Sequence, residues 1–89
     1  MDRTMPTAEA EHDVARLRAR LQALVASDPL AALELSAQVE ALGRAAAADA
    51  AAAACRRGAS WSDVGNAFGI SKQAAHQRFA KHVKAVRRP

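Results

Sequence analysis

Four polar residues near the C-terminus have side chains that can form hydrogen bonds with the edges of nucleic-acid bases: Lys72, Gln73, His76 and Gln77. A glutamine carboxamide can bind N6 and N7 of adenine together, and a lysine ammonium can donate to O6 and N7 of guanine. On an α-helix, Gln73, His76 and Gln77 project from one side, and the small Ala80 lets that side enter a major groove. Lys72 lies in the first turn of the same helix. We therefore interpret these four residues as candidate base contacts.

Cations and hydroxyl groups suited to phosphate surround this face. Basic side chains and hydroxyls bind phosphate oxygens, and helix N-termini attract anions. The candidate phosphate contacts are Ser62, Ser71, Arg78, Lys81, Lys84, Arg87 and Arg88. Among them, Arg78 lies at the margin of the inner helix face and has to reach outwards.

The basic residues are concentrated at the C-terminal end of the chain. Residues 58–89 contain six lysines and arginines against Asp63 alone, a net charge of +5, whereas residues 1–57 carry a net charge of −1. A near-neutral segment followed by a basic one is typical of a nucleic-acid-binding protein with a separate structural arm. The distribution therefore favours double-stranded DNA as the partner of the C-terminal region.

Two helices are predicted to position the candidate contacts. Ser60 and Asp63 have the spacing of a capping box, which starts a helix of about eight residues. Gly69 ends that helix because the tight turn needs a positive φ. Ser71 then caps a helix over residues 72–86. Gly65 departs from the usual pattern, since alanine is commoner at that close contact.

The apolar residues of this region give each predicted helix one inner face. The first helix directs Trp61, Val64 and Phe68 inwards, with Trp61 against Phe79, and Ile70 joins from the turn. The second helix has an inner face of Ala75, Phe79, His82, Val83 and Val86. A short helix, a turn of glycine and an aliphatic residue, and a second capped helix are the parts of a helix-turn-helix.

The run from Gly58 to Phe79 resembles the helix-turn-helix of short actinobacterial DNA-binding proteins, including small nucleoid-associated ones. It is also similar to the promoter-reading helix-turn-helix of sigma factors. The segments Gly58-Ala59-Ser60-Trp61 and Gln73-Ala74-Ala75 carry most of the likeness, which covers about a quarter of the chain. The resemblance implies a major-groove recognition helix and says nothing about the N-terminal helices.

Residues 7–57 are predicted to form two longer helices after a disordered tail over residues 1–6. A stripe of Ala10, Val14, Leu17, Leu21 and Leu24 indicates a helix from about Ala8 to Ala26. Asp28 and Pro29 start a second helix, which we expect to end at Arg57. The apolar face of the second helix is predicted to hold Leu35, Val39, Leu42, Ala46, Ala50 and Ala53.

The stripe of the first helix has two candidate partners. Val14, Leu17, Leu21 and Leu24 keep the alternating spacing of a coiled-coil seam, which favours a homodimer. The break at residues 27–29 is also short enough to reverse the chain, so an intramolecular hairpin is the alternative. A dimer would set two basic regions side by side, as paired DNA half-sites require.

The sequence lacks the residues that other classes of function need. The single cysteine, Cys55, excludes an internal disulfide and a cysteine-based zinc site, and we expect no metal, cofactor or small-molecule substrate. We interpret Cys55 as a small hydrophobe, with a redox switch beside Arg56 and Arg57 as the alternative. The sequence shows neither a nucleophile–base pair nor a phosphate-binding glycine loop, so nothing in it indicates an enzyme. No signal peptide or membrane span is evident, so a cytoplasmic, nucleoid location is expected.

Together these features predict an all-α fold in which a three-helix helix-turn-helix unit follows a long N-terminal helical hairpin or arm. The expected regions are a tail over residues 1–6, an arm over residues 7–57 whose end packs on the motif, and a DNA-binding region over residues 58–89. The predicted function is sequence-selective or architectural binding of duplex DNA, by a nucleoid-associated protein or a transcriptional regulator. The alternative is a protein-interaction module similar to a sigma-factor domain that acts on the transcription machinery.

Overall fold

The computed structural model describes residues 4–87, which are helical with short connections. The helices are α1 (Thr4–Ser27), α2 (Pro29–Arg56), α3 (Trp61–Phe68) and α4 (Lys72–Arg87). Residues 4–87 contain no β-strand, so the predicted all-α class is confirmed. Within the same range, no helix combines the length and the apolar character needed to cross a membrane.

The chain divides into two compact units, Met1–Glu40 and Ala41–Pro89. The division lies inside α2, ahead of the boundary at Gly58 that the change in charge indicates. The alanine-rich end of α2 belongs to the second unit because Ala51 and Ala52 are part of that unit's core.

In the first unit, a single residue, Asp28, separates α1 from α2. Its backbone N–H donates to the carbonyl of Leu24 (2.7 Å), and its carboxylate accepts from the N–H of Ala31 (3.2 Å). Asp28 therefore caps α2, with Pro29 at the first helical position, as predicted. α1 begins at Thr4 rather than near Ala8. The first turn tolerates Pro6 because its N–H groups have no partner within the helix, and residues 1–3 of the predicted tail lie outside the described residues.

Burial along α1 is greatest next to this turn. Leu21 and Leu24 are half-buried, and Ala32 in the first turns of α2 is buried. Further from the turn, Val14 is 53% exposed and Leu17 is 37% exposed. Half of the predicted self-association stripe is therefore covered within the chain, and the other half faces solvent.

The second unit has one apolar core formed by α2, α3 and α4. Its buried residues are Ala51, Ala52, Val64, Ala75, Phe79 and Val83, with Ala47, Ala48, Cys55, Trp61 and Ile70 at its edge. The predicted face of α2 is wrong at this end, because Ala46 and Ala50 are exposed. In a tract that is nearly all alanine, every side of the helix is equally apolar, so no periodicity indicates which side packs.

Caps and glycine turns set the lengths of α3 and α4. The capping box is present: the Asp63 N–H donates to Ser60 Oγ (3.0 Å), and the Ser60 N–H donates to Asp63 Oδ2 (2.9 Å). Gly69 ends α3 in the left-handed region, with φ of 81°. Ser71 Oγ accepts from the N–H of Ala74 (3.0 Å) and caps α4. Each of these local predictions is confirmed.

The inner faces of α3 and α4 are narrower than predicted. Phe68 and Val86 are each 44% exposed, although the sequence pattern assigns both to the core. Phe68 is the last residue of α3 and Val86 the last but one of α4, so both lie at helix ends. Ala75, Phe79 and Val83 alone form the buried side of α4 among its described side chains.

Candidate nucleic-acid interface

The buried side of α4 determines which of its residues face solvent. Because Ala75, Phe79 and Val83 point into the core, Gln73 and Gln77 on the opposite side are exposed. The second unit holds α4 in this orientation through the Ser71 cap and the left-handed turn at Gly69. The outward face is thus a consequence of the packing and not of α4 alone.

The structure brings all four predicted base-contact residues together around one shallow hollow. This hollow has a volume of about 380 Å³ and is lined by Trp61, Lys72, Gln73, His76 and Gln77. The four residues from α4 are exposed, and Trp61 from α3 is half-buried. We refer to this concavity as the α4 hollow. It combines an ammonium, two carboxamides and an imidazole with one aromatic wall.

Trp61 packs against the core and also has a ring partner that the sequence does not predict. Its ring contacts His76 with the centroids 5.1 Å apart and the planes at 79°, whereas Phe79 meets Phe68 at 5.4 Å and 88°. Trp61 is the first residue of α3, so it lies over the start of α4 and at the edge of the core. Trp61 therefore packs against the core cluster that contains Phe79 and also forms a ring contact at the outer surface.

Arg78 lies against aromatic rings. Its guanidinium carbon is 4.9 Å from the Phe68 ring centroid and 5.6 Å from that of Phe79. Stacking of this kind stabilises a cation on a ring face by about 0.5–1 kcal/mol at exposed sites. A phosphate contact by Arg78 would have to compete with these rings, so it is the weakest of the predicted phosphate contacts.

The other predicted phosphate contacts occupy the flanks and the end of α4. Ser62, Ser71, Lys81 and Lys84 are exposed. The Ser71 oxygen accepts the helix-capping hydrogen bond, which leaves its hydroxyl hydrogen free to donate. The side chain of Arg87 and the whole of Arg88 lie outside the described residues.

The second unit has a large excess of basic over acidic residues. Residues 41–89 contain nine lysines and arginines and only two acids, Asp49 and Asp63. Asp63 belongs to the capping box, and Asp49 Oδ1 lies 3.1 Å from His82 Nε2 on α4. Both carboxylates thus have partners within the unit, and neither lines the α4 hollow. Sequence reasoning missed the Asp49–His82 pair, whose one signal is a lone acid in an alanine tract.

In the range that the structure describes, no three His, Cys, Asp or Glu side chains converge as a metal site requires.

Comparison of the chain with known protein families, with curated proteins and with solved structures found no match. The function is therefore inferred from the residues of this chain.

Proposed function

We propose that this protein binds duplex DNA and places α4 in the major groove as the recognition helix of a helix-turn-helix. The observation that carries the proposal is the α4 hollow, which gathers Lys72, Gln73, His76 and Gln77 on one exposed surface. These residue types supply the donors and acceptors that base edges require. A nucleoid location in the cytoplasm follows from this function.

The local architecture supports the helix-turn-helix assignment. α3 has eight residues, Gly69 makes the turn with a positive φ, and Ile70 packs against the core from within the turn. The alanine tract of α2 covers the other side of α3 and α4, as the first helix of a three-helix unit does. This arrangement fixes α4 from behind and leaves its front free.

The proposal assigns separate roles to the polar residues. Gln73, His76 and Gln77 contact base edges near the start of α4, where a recognition helix comes closest to the groove floor. Lys81 and Lys84 neutralise phosphates further along, together with the C-terminal Arg87 and Arg88. Lys72 contacts a base edge from the first turn of α4, and Ser62 and Ser71 contact phosphates around the helix N-termini.

Substitution of Gln73 tests base readout. We expect Gln73→Ala to weaken binding to a selected duplex by roughly 1–3 kcal/mol and to change binding to random duplex much less. The matched control, Lys81→Ala, removes a phosphate contact and should weaken both by the same factor. Gel-shift titrations of the wild type and both variants on the two DNAs measure this.

Two results would count against this assignment. Equal losses on selected and random DNA for Gln73→Ala would show that Gln73 does not discriminate between bases. No binding of the wild type to any duplex would contradict the DNA-binding proposal. That second result would favour the protein-interaction module similar to a sigma-factor domain.

Self-association through α1 is the second part of the proposal. Val14 and Leu17 are exposed large hydrophobics on the same side of α1 as the half-buried Leu21 and Leu24. A second copy would remove this apolar surface from water and pair two DNA-binding units, which suits half-sites about one helical turn apart.

Charge placed on the exposed part of this stripe tests the dimer. We expect the wild type to sediment as a dimer at micromolar concentration and Val14→Asp with Leu17→Asp to sediment as a monomer. Both residues are exposed within the chain, so the double variant should keep its helical circular dichroism. Ala15→Asp with Ala19→Asp adds the same charge to the other side of α1 and should stay dimeric. A wild-type monomer that binds DNA as one copy would contradict the dimer.

A further inference from the structure

The α4 hollow contains one apolar element among polar ones. Lys72, Gln73 and Gln77 contribute an ammonium and two carboxamides, whereas Trp61 contributes an aromatic surface. Trp61 is only half-buried, so part of its ring remains in contact with solvent. Its near-perpendicular contact with His76 holds both rings at the rim of the hollow.

The chemistry of the major groove limits what an apolar wall can recognise there. The groove edges of adenine, guanine and cytosine present hydrogen-bond donors and acceptors, and thymine adds the C5-methyl group. An exposed aromatic wall on the groove-facing side therefore has one favourable apolar counterpart on a standard base pair. We infer that Trp61 and His76 form a thymine-selective subsite, in which the wall takes the C5-methyl group. This inference rests on the proposed DNA-binding function.

The position of the wall fits that ligand. A thymine C5-methyl group projects from the side of the base pair nearest its own sugar–phosphate strand. Trp61 lies at the N-terminus of α3, beside the first turn of α4, and the N-terminal end of this helix pair approaches a strand in helix-turn-helix docking. Lys72 in the same hollow can donate to a neighbouring guanine, and Gln73 can bind the adenine of the same or the next pair.

Removal of single methyl groups from the DNA tests the subsite. A preferred duplex is first selected with the wild-type protein, and each thymine is then replaced in turn by deoxyuridine, which lacks the C5-methyl group. We expect one thymine per bound unit at which the replacement weakens binding about fourfold, the effect of one methyl group removed from water. Fluorescence anisotropy at constant salt measures the affinities.

Two variants connect the methyl effect to the α4 hollow. His76→Ala removes the exposed ring that contacts Trp61 edge-on, which is one of the two rings of the subsite, so the fourfold preference for thymine over deoxyuridine should be lost. Lys84→Ala, outside the hollow, should weaken binding to both duplexes and keep the fourfold ratio. Circular dichroism of each variant checks that it remains folded.

The outcomes separate this inference from the proposed function. If the wild type binds its selected duplex but no thymine shows a methyl effect, the subsite is wrong and DNA binding stands. The subsite as proposed is also wrong if His76→Ala keeps the fourfold ratio, because His76 then has no part in recognising the methyl group. If the wild type binds no duplex, the proposed function itself has failed.

Discussion

Raising the salt concentration from 50 to 200 mM is expected to weaken duplex binding by on the order of a thousandfold. Residues 58–89 contain six basic side chains against one acid. Each phosphate neutralised by a cation releases condensed counterions, so the logarithm of the association constant falls by about 0.9 per contact for each tenfold rise in salt. Contact with about six phosphates gives a slope near −5, which anisotropy titrations at four or five salt concentrations measure.

Two variants show which residues produce this slope. Lys81→Ala should make the slope shallower by about one, because a phosphate contact is lost. Gln73→Ala should weaken binding to the selected duplex and leave the slope unchanged, because a neutral carboxamide releases no counterion. An affinity that does not change between the two salt concentrations would contradict binding through phosphates.

The sequence predicts the ends of α3 and α4 well because the signals that set them are local. Ser60 and Asp63 form their capping box within four residues, and Ser71 caps α4 through a hydrogen bond three residues along the chain. Gly69 adopts the left-handed conformation that its residue type favours. None of these features needs information about distant parts of the chain.

The sequence predicts contacts between side chains on different helices less well, because these contacts depend on how α3 crosses α4. The pattern places Trp61 against the core but does not predict its ring contact with His76 or the contact between Phe68 and Phe79. The same crossing brings Arg78 over the Phe68 ring. The helical periodicity of the sequence identifies the inner side of each helix, but it does not give the angle at which the two helices cross.

The candidate site contains one part that helix periodicity predicts and one part that depends on the packing of two helices. Helix periodicity alone predicts that Gln73, His76 and Gln77 face outwards together, and all three line the α4 hollow. Trp61, its aromatic wall, belongs to α3 and enters the hollow through a tertiary contact. The sequence signal for its role was the position of an aromatic residue at the first turn of α3, which is equally compatible with burial.

Gly65→Ala is expected to destabilise the protein by about 1–3 kcal/mol, although alanine normally stabilises a helix relative to glycine. A Cβ atom at position 65 would lie 2.7 Å from the backbone oxygen of Ile70 and 3.0 Å from that of Ser71. The Gly65 carbonyl also accepts the N–H groups of Gly69 (2.8 Å) and Ile70 (2.9 Å). These two hydrogen bonds hold the turn against Gly65, so a shift of the turn away from an added Cβ would itself cost stability. The glycine that departs from the usual pattern is required by this close approach.

Gly43→Ala is the matched control, since Gly43 also lies within a helix but a Cβ there would meet nothing within 4 Å beyond its chain neighbours and the nearby backbone of its own helix. It should stabilise the protein by about 0.5–1 kcal/mol, because alanine restricts the unfolded chain and favours the helix. Urea unfolding followed by circular dichroism measures both variants. Stabilisation by both substitutions would show that the turn at Ile70 and Ser71 is free to shift. Opposite signs would establish that contact at Gly65 sets the spacing between α3 and the start of α4, and Gly65→Ala should then also weaken DNA binding below its unfolding temperature.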